Sequence, residues 1–132
     1  MAKSAIYTAN TGAQALQIGS TISLGSIIRR FGCGVNLNGN GIVIDEQGYY
    51  DVDASITATA AAAGTVTVTL LRDGVAVPGA VASATAAAAG TVALPITALV
   101  RQMCCGSGST LTLQLGGTAA TVNNVALKVI KL

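Results

Sequence analysis

The stretch TVTVTLL at residues 65–71 alternates between threonine and aliphatic side chains. In an extended strand this alternation places Val66, Val68 and Leu70 on one face and three threonines on the other. The stretches STLTLQL at 109–115 and YDVDASITAT at 50–59 show the same period of two. Each of these stretches predicts a β-strand with one buried face and one solvated face.

Turn-forming residues separate the alternating stretches about every ten residues. They include Asp-Gly at 73–74, Pro-Gly at 78–79, Gly-Ser-Gly at 106–108 and Gly-Gly at 116–117. Short strands at this spacing predict an all-β sandwich or barrel. A length of 132 residues fits a single domain with one hydrophobic core.

The nonapeptide ATAAAAGTV occurs twice, at residues 58–66 and 84–92. Alanine favours helix, but a helix of four to six residues is marginal, and strands are predicted on both sides of each copy. We interpret each copy as a strand end, a turn and a strand start, forming a hairpin tip. If consecutive strands are antiparallel, both tips lie at one end of the sandwich, which we call the apex. The candidate apex-loop residues are Ala61, Ala62, Ala87 and Ala88.

Two stretches, TVALPITALV at 91–100 and VNNVALKVIKL at 122–132, are apolar on both faces. An antiparallel strand with one wet face alternates, so these strands are predicted to be covered on both sides. The sequence contains no amphipathic helix that could provide the cover, and a second copy of the chain is the expected partner. Candidate residues for this contact are Leu99, Ala126 and Ile130.

The composition also points to an oligomer. The chain is 52% hydrophobic and only 9% charged, whereas ordinary soluble domains have about 25% charged residues. No apolar run reaches the roughly 18 residues of a spanning helix, and the first residues lack the apolar core of a signal peptide. We therefore expect a soluble subunit without membrane insertion. Scattered charges with a net of +2 and only four aromatic residues argue against nucleic-acid binding.

The sequence offers no catalytic constellation. It has no histidine, no serine-nucleophile motif and only five acidic residues, none of which forms a recognisable acid–base pair. We predict that the protein is not an enzyme and has no catalytic residues. The three cysteines, Cys33, Cys104 and Cys105, cannot all pair within one chain. Buried reduced thiols are the first interpretation, with an interchain disulfide or a metal site as alternatives.

Four stretches in order resemble one known superfamily. GYYDVDASI at 48–56, LLRDGVAVPG at 70–79, GTVALPITALV at 90–100 and NNVALKVIKL at 123–132 are similar to the trimeric jelly roll of tumour necrosis factor and the complement globular heads. The likeness is nearer to bacterial and phage versions, such as the heads of collagen-like spore-surface proteins and phage head-fibre proteins. No collagen-like Gly-X-Y stalk is present.

The resemblance implies an all-β fold, an antiparallel ten-strand-type jelly-roll sandwich that assembles as a homotrimer. It covers residues 14–132 and leaves residues 1–13 as an N-terminal extension. The strands at 48–58, 91–101 and 122–132 would form an inner sheet packed around a threefold axis.

In the family pattern the first of these strands turns alternate residues toward the neighbouring subunits. Tyr49 is thereby a further candidate interface residue, and Asp51 and Asp53 would lie near the interface. A buried carboxylate needs a partner, and the chain offers Lys128 or Arg101 for this role. Relatives sometimes bind calcium at such places, so Asp51 and Asp53 are candidate ion ligands. No other cofactor is expected.

The expected function is that of a non-enzymatic structural protein, a trimeric subunit of a phage or prophage particle. It would serve as a head fibre or decoration, with adhesion as an additional role, and would be made in the bacterial cytoplasm and carried in the virion. Expected partners are other copies of the chain, capsid or other virion proteins, and a host-surface glycan or protein. The alternative is an adhesion or ligand-binding head on a bacterial cell or spore surface. A third option is a small carbohydrate- or ion-binding module. The lack of a signal peptide favours the virion.

Overall fold

A computed structural model describes residues 3–103 and 108–132 of the chain. Eleven strands are present in these two ranges, and all strand pairs are antiparallel. The strands are β1 (Ala5–Asn10), β2 (Gln14–Leu16), β3 (Ser26–Phe31), β4 (Val35–Asn38), β5 (Gly41–Ile44), β6 (Gly48–Ala60), β7 (Gly64–Arg72), β8 (Val75–Ala86), β9 (Thr91–Gln102), β10 (Ser109–Gly116) and β11 (Ala120–Lys131).

The strands form two sheets that pack face to face. The sheet that we call the inner sheet has the order β3-β1-β11-β6-β9, with β2 pairing beside β11. The outer sheet has the order β4-β5-β10-β7-β8. The sequence-based assignment of 48–58, 91–101 and 122–132 to one sheet, and of 65–71 and 109–115 to the other, is confirmed. The expected all-β jelly-roll sandwich is therefore confirmed.

The core lies between the sheets and follows the period of two in the sequence. Val66, Val68 and Leu70 of β7 are fully buried, and so are the three leucines of β10. On the inner sheet, alternate residues of β6, β9 and β11 face the same core. Since these side chains remove apolar surface from water, they are the main source of stability of the sandwich.

Of the predicted turns at 73–74 and 78–79, only the first is a hairpin loop in the structure. Asp73 and Gly74 form a two-residue hairpin loop between β7 and β8, and both have positive φ, 51° and 82°. Such a loop matches the twist of the strands it joins. The predicted turn at 78–79 is wrong, because both residues lie within β8. There the register shifts between Thr69 and Leu71, and the Pro-Gly pair lies in a bulge-like irregularity in which residues 77–80 lie opposite Leu70 alone.

Strand β1 lies within the inner sheet, between β3 and β11. Its register pairs Ala5 with Ile130 and Asn10 with Val125. Residues 5–10, which were assigned to an N-terminal extension, are thus part of the sandwich. Ile6 and Thr8 are buried against the core, although AIYTAN shows no clear alternation of apolar and polar side chains.

The two copies of ATAAAAGTV connect different sheets. The first copy leads from β6 in the inner sheet to β7 in the outer sheet, and the second leads from β8 back to β9. The interpretation as hairpin tips is therefore wrong, although strand, turn and strand follow one another as expected. Ala58 and Ala60 are buried at this end. Small side chains allow the chain to cross over the end of the core where the two sheets meet.

Candidate interaction surface

The inner sheet has one face against the core and one face directed away from it, which we call the open face. The strand registers place opposite residues on the same face. The apolar residues of the open face share partial or full exposure in the single chain. They include Ala5, Tyr7, Ala9, Phe31, Tyr49, Leu99, Ala126 and Ile130.

All four sequence-predicted contact residues lie on this open face. Leu99 and Tyr49 are 60% and 48% exposed, while Ala126 and Ile130 are half-buried by their neighbours. The structure thus brings the four together on one surface formed by β6, β9 and β11. Their burial in an interface between chains stays a prediction.

Sequence reasoning missed two aromatic residues on this face, Tyr7 and Phe31. Both are exposed, and Tyr49 joins them, so three of the four aromatic residues of the chain lie on the open face. Only Tyr50 is in the core. Aromatic side chains are enriched at protein interfaces. Their scarcity elsewhere in this sequence was the signal that could have identified Tyr7 and Phe31.

The corresponding face of the outer sheet has a different chemistry. It carries threonine and serine at successive outward positions of β7, β8 and β10. The hydroxyl oxygens of Thr67 and Ser83 lie 3.0 Å apart, and those of Thr65 and Thr85 lie 3.4 Å apart. Cross-strand hydroxyl pairs of this kind suit a surface in contact with water. The two sheets therefore differ sharply in the polarity of their outward faces.

The carboxylates of the open face are not gathered into a metal site in the single chain. The Asp53 carboxylate lies 3.4 Å from the Lys128 ammonium, on the adjacent strand. Asp51 has no ion pair within residues 3–103 and 108–132, and Arg101 instead lies over the ring of Tyr49 at 5.9 Å. No group of three or more possible metal-ligating side chains occurs in the described ranges.

Calcium binding by Asp51 and Asp53 therefore stays a prediction for the assembled protein, in which several copies could contribute oxygen ligands. A melting temperature that rises with added calcium and falls with a chelator would support it. A melting temperature unaffected by chelator would contradict a structural calcium ion.

A buried polar network closes the end of the sandwich opposite the apex, which we call the base. The Tyr50 hydroxyl donates to the backbone oxygen of Glu46 at 2.7 Å. The Glu46 carboxylate lies 3.7 Å from the buried Lys131 ammonium. Ser4 accepts a hydrogen bond from the backbone N–H of Gly34 at 2.9 Å. These contacts tie β1, β6, β11 and the segment before β4 together, so they stabilise the position of both chain termini.

Tyr50 should make the free energy of unfolding depend on pH in the alkaline range. Burial raises the pKa of Tyr50 above its ordinary value of 10.0, and the nearby Glu46 carboxylate raises it further. The unfolded chain therefore loses this proton first. The contribution of Tyr50 is present below about pH 10 and is lost as the pH rises through the higher pKa of the folded state.

Tyr50→Phe is expected to weaken the protein at neutral pH by about 1 kcal/mol, because the Glu46 oxygen loses its donor. The variant should also lose less stability than the wild type between pH 9 and pH 11. Urea unfolding of both proteins across this pH range measures the difference. Parallel pH profiles would contradict the role of Tyr50.

A second polar cluster at the base joins the two sheets. Arg72 of the outer sheet donates to Gln102 of the inner sheet at 2.9 Å and to Ser109 at 3.2 Å. The Ser109 hydroxyl donates to the same Gln102 oxygen at 2.8 Å. Gln102 and Ser109 are buried. Arg72, Glu46 and Lys131 are thus engaged within the fold at the base, and this end of the molecule is polar.

The apex, by contrast, is built from uncharged loops. Its three connections are joined by backbone hydrogen bonds, from Ala60 to Gly90, from Ala89 to Ala60 and from Ala61 to Ala119. The candidate apex residues Ala61, Ala62, Ala87 and Ala88 are all exposed there. The structure thus confirms that both nonapeptides lie at one end of the sandwich, as the strand directions predicted. A contact role for this surface stays a prediction.

The two identical nonapeptides have different backbone conformations, which gives a matched pair of variants. Ala89 has a φ of 61°, whereas the equivalent Ala63 of the first copy is not in the left-handed region. A non-glycine residue there costs about 1 kcal/mol. Ala89→Gly should therefore raise the free energy of unfolding by about 0.5–1 kcal/mol, and Ala63→Gly should lower it by a similar amount. Thermal unfolding at one protein concentration measures both, and a loss of stability in Ala89→Gly would contradict the assignment.

Only one of the three cysteines, Cys33, lies within the described residues. Cys33 is a free, exposed cysteine at the turn after β3. The expectation of a buried thiol is therefore wrong for Cys33, because the edge position of β3 leaves this turn uncovered. Cys104 and Cys105 lie outside the described residues. In the part of the chain that the structure describes, no helix is long and apolar enough to cross a membrane.

Solved structures of other proteins share the fold of this chain. No protein-family model and no curated protein sequence matches the chain. Among solved structures, murine APRIL is similar with a TM-score of 0.76 and 12% identity, covering 99% of this chain and 100% of that one. The globular domain of zebrafish complement 1qA has a TM-score of 0.70 and 7% identity, with 94% of both chains covered. Vertex protein P5 of the phage PRD1 has a TM-score of 0.66 and 14% identity, covering 98% and 96%.

These structures share the fold of the chain over nearly its whole length. The resemblance of the sequence to the tumour-necrosis-factor and complement globular-head jelly roll is confirmed at the level of the fold. At 7–14% identity the likeness concerns architecture alone. The role of the protein must therefore be argued from its own surfaces.

Proposed function

We propose that the protein is a non-enzymatic structural subunit that assembles as a homotrimer through the open faces of its inner sheets. The difference between the two sheet faces is the observation that carries this proposal. The outer sheet presents hydroxyl groups, whereas the inner sheet presents aromatic and aliphatic side chains such as Phe31 and Leu99. Covering the open face removes this apolar surface from water, and copies of the chain are the cover that the sequence favours.

A trimer is the assembly that the resemblance to the jelly-roll superfamily supports. Three copies related by a threefold axis would place their inner sheets around that axis with the strands running along it. The apex loops would then surround the axis at one end, and the polar base would form the other. The threonine-rich outer sheets would face the surroundings.

We propose further that this trimer belongs to a phage or prophage particle, as a head fibre or decoration protein, with adhesion as an additional role. The likeness to the vertex protein of PRD1 supports a place in a virion. The function rests on assembly: the apolar face holds the copies together, and the uncharged apex is displayed. Capsid proteins would bind the base, and a host-surface glycan or protein would meet the apex.

The alternative is an adhesion or ligand-binding head on a bacterial cell or spore surface. The likeness to the globular domain of complement 1qA is compatible with a head domain of this kind. Both roles use the same trimer, and they differ in the structure that carries it. An antibody against the protein distinguishes them by labelling either purified particles or whole cells.

The mass of the purified protein in solution tests the central part of the proposal. Light scattering coupled to size exclusion should give three times the chain mass of 13.0 kDa. A folded monomer would overturn the proposal. For the virion role, mass spectrometry of particles purified from an induced host culture should detect the chain, and its restriction to the cell fraction would overturn that role.

A further inference from the structure

Strongly exposed apolar side chains lie at both edges of the inner sheet. At one edge, Phe31 of β3 is 61% exposed. At the other edge, Leu99 of β9 is 60% exposed, and Val75 at the start of the adjacent β8 is 70% exposed. A single chain cannot bring these two edges together, because three strands separate them.

A cleft lies beside Leu99, between the edge strands β8 and β9 of the two sheets. Its volume is about 280 Å³, slightly below the range of small-molecule pockets and large enough for a protein side chain. Its lining is apolar apart from two arginines and consists chiefly of Arg72, Val75, Val77, Pro78, Leu99 and Arg101. A cleft with this lining suits an apolar occupant such as an aromatic ring, because its walls are mostly aliphatic and its two guanidinium groups are engaged with Gln102, Ser109 and Tyr49.

Phe31 and Leu99 belong to one row of residues that crosses the inner sheet. The registers pair Phe31 with Ala5, Ala5 with Ile130, Ile130 with Asp51 and Asp51 with Leu99. Residues of one row have the same height along the strands. Rotation about the proposed threefold axis, which runs along the strands, preserves this height. Phe31 of one copy would therefore lie at the height of Leu99 in the next copy.

We infer that Phe31 of each copy inserts into the cleft between β8 and β9 of the neighbouring copy. This inference rests on the proposed homotrimer and specifies its contact. The contact joins two different surfaces of the chain, and such head-to-tail contacts close into a ring when the rotation allows it. The cleft is incomplete in the single chain, and the neighbouring copy supplies its occupant.

The charges of the two edges support the same arrangement. Arg29 precedes Phe31 by two residues in β3 and lies on the same face of the sheet. Its row crosses the sheet to Asp53, and Asp51 is one row nearer the base. Docking of β3 onto the β6–β9 half of the next copy would bring this guanidinium group toward Asp51, which has no ion pair among the described residues, whereas Asp53 already pairs with Lys128. Complementary charges of this kind set the register of an interface.

Disulfide cross-linking tests the inference. All three native cysteines are first replaced by serine, and Phe31→Cys is then combined with Val75→Cys or with Pro78→Cys. Under a mild oxidant such as copper phenanthroline, we expect most of the chain to migrate as covalent dimers and trimers on a non-reducing gel. Phe31→Cys combined with Thr112→Cys is the matched control, because Thr112 lies on the outward face of the outer sheet. This control should remain a single chain.

The solution mass of the same proteins separates the two levels of the proposal. If the reduced cysteine-pair variants remain trimeric but do not cross-link on oxidation, the docking of Phe31 is overturned and the trimer stands. A monomeric wild type would overturn both. The single variants are compared under reducing conditions. If the Phe31→Cys protein is monomeric while the Thr112→Cys protein is trimeric, the docking is supported, because loss of the trimer then follows removal of the Phe31 ring.

Discussion

Leu99→Asp is expected to convert the assembled protein into folded single chains. Leu99 lies on the open face, with a 60% exposed side chain, so the single chain tolerates a charge there. In the trimer the new carboxylate would be buried directly opposite the like charge of Asp51 on the neighbouring strand, while Arg72 and Arg101 beside it are already engaged with Gln102 and Tyr49. An unpaired buried charge costs about 3–5 kcal/mol, which weakens association by roughly a hundred- to thousand-fold or more at each contact. Size exclusion with light scattering measures the loss of the trimer.

Ile130→Asp should have the same effect, because Ile130 lies in the same row on β11, next to Asp51. The matched control is Val81→Asp. Val81 is also an exposed aliphatic residue of a strand, but it points outward from the outer sheet opposite Thr69. The Val81→Asp protein should remain a trimer. A trimeric Leu99→Asp protein, or a monomeric Val81→Asp protein, would show that the open face is not the interface.

Leu113→Ala is expected to give a large loss of stability. Leu113 lies at the centre of β10, paired with Leu70 of β7, and its side chain is fully buried between the sheets. Truncation removes three buried carbons and leaves a cavity that a rigid sandwich fills only in part. The expected cost is about 2–5 kcal/mol in the free energy of unfolding. Urea unfolding at constant protein concentration measures it, since assembly also contributes to stability.

Thr112→Ala provides the control for this truncation. Thr112 is the preceding residue of the same strand, and its side chain points away from the core. Its replacement should change the free energy of unfolding by less than about 0.5 kcal/mol. Equal losses in the two variants would mean that the register of β10 differs from the one described here.

Much of the fold could be predicted from the period of two in the sequence. The alternation in 65–71 and 109–115 assigns each side chain of β7 and β10 to the core or to solvent, and the structure agrees at every position of the two stretches except Leu71. Leu71 interrupts the alternation, is only half-buried and pairs with Ala76 on the outward side of the bulge. Strand β1 was missed because a six-residue strand near the chain start has too few positions to show its period clearly.

The candidate surface could be predicted only in part. Leu99, Ala126 and Ile130 break an expected alternation and were therefore found, whereas Tyr7 and Phe31 lie in short strands where one aromatic residue does not break a pattern. Their place beside the other residues depends on which strands become neighbours. That order is set by contacts between segments far apart in the chain, such as β1 with β11.

The sequence by itself determined five of the strands, namely β6, β7, β9, β10 and β11, together with their buried faces, because a side chain's face follows from its position in the strand alone. It also determined that the chain has more apolar surface than one core needs. Only the tertiary structure decided where that surface lies and what the repeated nonapeptide does. Two identical copies of ATAAAAGTV cross between the sheets in opposite directions, and Ala89 has a positive φ that Ala63 lacks. The reason is that backbone conformation at a crossing is set by the strands that it must join, and identical local sequences cannot carry that information.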